Sequence, residues 1–156
     1  LLEAQLSHSD GIRGFFVTYL TAEPQDGSGV AADQEDIPQA LQNALGSVKD
    51  ATDLVSLACM NLIMPTAMTT MHTDPDQQES SRLTASRGKR VLQHLATVHE
   101  LKVKAYCTAI LGAASDESGE PDADLELVNY WKSFFEKWGY KEKQLHDIVA
   151  AVIKYD

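Results

Sequence analysis

Positive charge is the scarcest property of this chain. Thirteen lysines and arginines stand against 23 aspartates and glutamates, a formal net charge of −10 over 156 residues. A field of that sign repels phosphate backbones and anionic lipid, which excludes non-specific binding to nucleic acid or to acidic membrane surfaces. Its plain consequence is a solvated acidic surface, and its more specific one is attraction of a basic protein partner. Cysteine is also rare. Cys59 and Cys107 each lie inside an apolar stretch, where thiols act as small hydrophobes. Free thiols and an intracellular, soluble protein are therefore expected, in the cytoplasm or an organelle interior. The chain carries no Asn-x-Ser/Thr sequon and opens with no signal-peptide pattern, in keeping with that expectation.

The signatures of common chemistries are missing as well. There is no glycine-rich phosphate loop, no G-x-S-x-G and no paired-cysteine motif. His94 and His99 are five residues apart, unlike the i, i+4 pairs of helical zinc sites, and His8, His72 and His146 are isolated. No catalytic residue, metal site or cofactor is assigned, and a non-enzymatic role is expected. No segment alternates apolar and polar residues convincingly enough for a strand.

What the chain does have is helical periodicity. Its length suits one domain with a real core, and the expectation is a single compact all-α domain over 1–156, of about seven or eight helices. Ile12, Phe15, Phe16, Tyr19 and Leu20 mark the first clear helix, capped by Ser9 or Asp10. Asp36 caps a short helix in which Ala40, Leu41 and Leu45 face inward. Ser47 opens a longer one. A polar-to-amphipathic helix starts near Pro75, and another carries Leu101, Val103, Tyr106 and Ile110 to an end at Gly112. The last two contain Trp131 and Trp138, with Gly139 closing the first, and then Ile148 and Val152. Acidic loops with Gly and Pro fall near 22–35 and 113–124.

All four methionines, Met60, Met64, Met68 and Met71, fall within twelve residues, at steps of four, four and three. That spacing is one stripe of a helix. From Leu54 to Met68 the chain is apolar nearly all round, so this helix should be the enclosed centre of the fold rather than a membrane span. The stripe is expected to be core; a groove for a partner and a soft Cu(I) site are the alternatives. Pro65 lacks the amide hydrogen that would bond the Asn61 carbonyl, which predicts a break or kink there. Asn61 is expected in a buried polar knot, with Thr66 or a water.

Against the acidic background, Arg82, Arg87, Lys89 and Arg90 concentrate three of the four arginines within nine residues. They cover about 160° of helix, opposite Val91, Leu92 and Leu95. Guanidinium groups suit carboxylate or phosphate, so this face is the candidate site for an acidic partner or a small anionic ligand. Its plain alternative is a solvated face in which Glu79 pairs with Arg82. Six of eleven aromatics crowd between Tyr130 and Tyr140, where core packing is expected. The function these features suggest is a helical protein-interaction module or an accessory subunit of a larger assembly. The alternative is a small enzyme or regulator binding an anion at Arg82, Arg87 and Arg90.

Overall fold

A computed structural model describes residues 2–21, 37–115 and 124–153. Among these there are eight α-helices and no strand: α1 (Leu2–Gln5), α2 (Ser9–Leu20), α3 (Gln39–Ser47), α4 (Thr52–Met71), α5 (Pro75–Val98), α6 (Glu100–Ser115), α7 (Leu125–Lys137) and α8 (Glu142–Ile153). The all-α expectation is met. The loop expected at 22–35 and the capping role of Asp36 lie outside the described residues, as do residues 116–123 of the second loop. The first three residues of that loop, 113–115, are still helical, because α6 runs past Gly112 and buries Ala113.

Side chains set several of the helix starts. His8 Nδ1 accepts from the Gly11 amide at 3.1 Å, so His8 rather than Ser9 or Asp10 caps α2. Asp74 accepts from the Asp76 amide at 2.9 Å ahead of Pro75, and proline at the first helical position needs no donor there. Asp50 accepts from the Thr52 amide at 3.0 Å, which starts α4 five residues later than Ser47; Ser47 instead ends α3, donating to the Ala44 carbonyl. At the close of α7, Gly139 holds φ at 67°, the left-handed turn that glycine adopts without steric cost.

Helix α4 is the centre. It packs most extensively on α5 and also meets α2, α6 and α8. Leu54, Val55, Ala58, Leu62, Ile63 and Ala67 are essentially inaccessible. By length and composition α4 could cross a membrane, but four helices pack on it, the surroundings of a core helix.

Three expectations about α4 are corrected. The helix is not broken at Pro65; it is continuous from Thr52 to Met71. Burial of Leu62, Ile63 and Ala67 around the proline contributes about 1.5–3 kcal/mol for each large side chain, enough to offset the roughly 3 kcal/mol that an interior proline costs. Asn61 is half-buried and its amide donates to the Leu57 carbonyl at 2.7 Å, while Thr66 donates to Leu62 at 2.6 Å; no knot joins the two. The methionine stripe is not core. Met60 packs on the rim, Met64 and Met68 are half-buried, and Met71 is exposed, because the neighbouring helices cover the other faces. Elsewhere Ala40 is exposed, and Leu101 is 84% exposed at the start of α6.

Candidate functional site

The basic stretch on α5 does not form one surface. At about 100° per residue Arg87 lies only about 40° from Val91, on the border of the apolar arc. Gly88 beside it brings α5 against α4, so Arg87 is enclosed at 2% exposure and its Nη1 donates to the Leu20 carbonyl at 3.0 Å. It therefore caps the last turn of α2, where unpaired carbonyls carry partial negative charge. The expectation that all four basic residues face solvent is corrected for Arg87. Arg82 remains exposed and pairs with Glu79 at 3.3 Å, while Lys89 and Arg90 are half-buried.

Arg82 does line a groove. With Thr66 and Thr69 of α4, Ala85 of α5 and Asp147 of α8 it encloses about 320 Å³. Both threonine hydroxyls donate to carbonyls of their own helix, leaving them as acceptors toward the groove. The arginine faces an aspartate across it, so the site is of mixed charge rather than an anion receptor.

A larger groove, about 450 Å³, lies where the α3–α4 link meets the α5–α6 corner. His99 ties this corner together, its Nε2 standing 2.9 Å from the Leu45 carbonyl, and Lys102 donates to Thr52 at 3.1 Å. Lys49 and Lys102 are balanced there by Asp50 and Glu100. The Asp50 carboxylate is held below its ordinary range by hydrogen bonds from Thr52, so the start of α4 already has its anion.

The third groove, about 360 Å³, is lined by Ser56 of α4, Tyr106 of α6, and Asp124, Glu126, Leu127 and Tyr130 at the start of α7. Its charge has one sign. Asp124 Oδ1 accepts from the amides of Glu126 and Leu127, leaving Oδ2 unused by the cap. Burial pushes the Tyr106 hydroxyl up, with Cys59 and Asp53 adding to the rise and a hydrogen bond with Ser56 opposing it. The phenol is thus neutral at physiological pH, and the carboxylates set the potential. No local sequence signature marks this groove, because positions 56, 106 and 124–130 belong to three separate helices.

Beside it runs an apolar ridge. Helix α7 packs chiefly on α6 through Val128, Trp131 and Phe135, which are buried. Leu127, Tyr130, Phe134 and Trp138, at steps of three, four and four, form the adjoining face. Leu127 and Phe134 are half-buried, and Tyr130 and Trp138 are 44% and 45% exposed. Phe134 links the ridge to Trp131 and Tyr140 edge-to-face, with centroids 5.3 and 6.3 Å apart. Lys137 lies over the Trp138 ring at 5.9 Å. The aromatic cluster is therefore split between core and surface, where core alone was expected.

Cys59 and Cys107 are free and buried. They are neighbours across the α4–α6 contact, and the Cys107 side chain together with burial pushes the Cys59 thiol far up. Among the described residues no three His, Cys, Asp or Glu side chains gather as metal ligands. Among the described residues, His94 Nε2 and Trp131 Nε1 are buried without a hydrogen-bond partner.

Over residues 2–155 the chain matches the model of the family described as Uncharacterised conserved protein UCP020893, and it belongs to that family. No curated protein and no solved structure matches it.

Proposed function

We propose that this member of the UCP020893 family is a helical protein-interaction module, an accessory subunit that docks a partner on the exposed face of α7. The observation that carries this reading is the ridge of Leu127, Tyr130, Phe134 and Trp138, which the fold leaves half-open. Tyrosine and tryptophan supply large, rigid contact area with a polar edge, which is why they concentrate at binding surfaces. The paired free thiols fit an intracellular, reducing compartment.

The test is a photo-crosslinking amino acid placed at Trp138 or Tyr130 in cells, with Leu83 on α5 as an exposed apolar control. A discrete crosslinked product from positions 130 and 138 that is absent from position 83 supports the reading. Identical products from all three, or none from α7, overturn it.

A second reading keeps an anionic ligand on α5, now narrowed to Arg82, Lys89 and Arg90, since Arg87 is committed to α2. The solvent-exposed Arg82 side chain favours it. Specific binding of phosphate or a carboxylate that is lost in Arg82→Glu would favour this reading over docking on α7.

A further inference from the structure

We infer that the segment docked on α7 is basic and amphipathic, and that it places an arginine side chain in the groove between Tyr106 and Tyr130. This rests on the docking reading above and specifies what the ridge recognises. The groove opens beside the ridge, sharing Leu127 and Tyr130 with it, so an apolar stripe lying on Phe134 and Trp138 continues into it.

Charge complementarity identifies the occupant. Asp124 and Glu126 line the groove with no basic side chain among its lining residues. Asp53, three residues before Ser56 on the same face of α4, adds to the field on Tyr106. No ion pair neutralises these carboxylates among the described residues, where Arg82–Glu79 is the one salt bridge. A cation is therefore drawn to this end of the ridge, and the net charge of −10 steers a basic segment toward the molecule as a whole.

Shape selects arginine over lysine. A planar guanidinium can stack on the exposed Tyr130 ring while its fork reaches a carboxylate, a combination that a compact ammonium cannot reproduce. Ser56 and the Asp124 Oδ2 supply further acceptors for its five donors. The basic end of the ridge, where Lys137 covers Trp138, discourages a second cation and so orients the segment along α7.

The experiment selects a displayed library of random 12-residue peptides on the intact chain, followed by titration of the best binder. Enrichment of arginine next to an apolar stripe is expected. Replacing that arginine with neutral citrulline, or Glu126 with glutamine, should each weaken binding by about tenfold or more, with Glu79→Gln as a neutral control. Binding that requires Trp138 but is unaffected by citrulline, or that prefers lysine, overturns the arginine assignment and leaves the docking reading standing. Peptides whose binding survives both Phe134→Ala and Trp138→Ala overturn both. Circular dichroism of each variant separates lost binding from lost folding.

Discussion

Gly88 of α5 sits directly against the backbone carbonyl of Asn61 on α4, the carbonyl that Pro65 leaves without its helical donor. A Cβ at position 88 would stand 2.8 Å from that oxygen and 3.3 Å from its carbon. The missing donor and the missing side chain thus meet at one place. Gly88→Ala should therefore destabilise by about 1–3 kcal/mol, because rigid backbone must give way, even though alanine is the better helix former. Gly112 on α6 is the contrast. Its nearest neighbour to a new Cβ is Val128 Cγ2 at 3.8 Å, an ordinary contact, so Gly112→Ala should stabilise by about 0.5–1 kcal/mol. Urea denaturation of the two variants gives opposite shifts; a gain in both would mean α5 can retreat from α4 without cost.

The arginines of α5 divide in the same way. Arg87 is buried and donates to the Leu20 carbonyl, so Arg87→Ala should lose about 2–4 kcal/mol, combining a charged hydrogen bond with the packing of its stem. Arg82, whose side chain is 56% exposed and paired with a still more solvated Glu79, should change stability by no more than about 0.5 kcal/mol when replaced by alanine. Equal thermal shifts for the two variants would contradict the different burial.

Periodicity was enough to read helix number, the centrality of α4 and the burial of Leu92, Leu95, Trp131 and Ile148, since apolar spacing reports which face needs covering. It could not say how completely neighbours cover a face. The methionines share a stripe with no local mark of exposure, and Leu101 fits an apolar pattern while standing outside the bundle. Arg87 shows the limit most clearly. Its charge assigns it to solvent, whereas the close α4–α5 approach at Gly88 and the position of α2's last carbonyl put it inside. Continuity through Pro65 has the same origin, because contacts from other helices outweigh a local break. The tyrosine groove depends on three segments meeting, a juxtaposition that local pattern does not encode.

Alkaline pH should weaken the fold in a defined order. In the native state Cys59 is raised well above its ordinary value by the Cys107 side chain and burial, and Tyr106 and Tyr140 are raised by burial. The unfolded chain releases these protons near about 8.5 for cysteine and about 10 for tyrosine. A raised acid holds its proton longer when folded, so its contribution is complete below the unfolded value and is lost as pH climbs toward the folded one. Stability should fall from about pH 8.5 upward, at up to about 1.4 kcal/mol per pH unit for each such proton. Cys59→Ala should flatten the decline from about pH 8.5 upward, leaving the part that the tyrosines add from about pH 10. Both thiols should also react slowly with a disulfide reagent until the protein unfolds. An unchanged pH profile in the variant, or fast labelling of the native state, would show that the pair is accessible to solvent.

The two tryptophans report opposite environments and supply a probe for the α7 face. Trp131 is fully buried and its indole nitrogen has no hydrogen-bond partner among the described residues, whereas Trp138 is 45% exposed beneath Lys137. Native fluorescence should therefore contain a blue, shielded component from Trp131 and a red one from Trp138 that neutral acrylamide quenches. Trp138→Phe should leave only the shielded component, and Trp131→Phe only the accessible one. The second substitution also tests the unpartnered nitrogen. Burying an indole N–H without a bond costs about 1–3 kcal/mol, and phenylalanine removes that cost along with part of the buried ring. The loss on Trp131→Phe should thus stay below about 2 kcal/mol, less than the 3–5 kcal/mol typical of truncating a core tryptophan to alanine. If that holds, the Trp131→Phe protein keeps its fold with Trp138 as sole reporter, and any segment that docks on the ridge should shift its emission to the blue and shield it from acrylamide. Equal quenching of the two single-tryptophan proteins would place both rings in the same environment and remove the exposed ridge from which docking is argued.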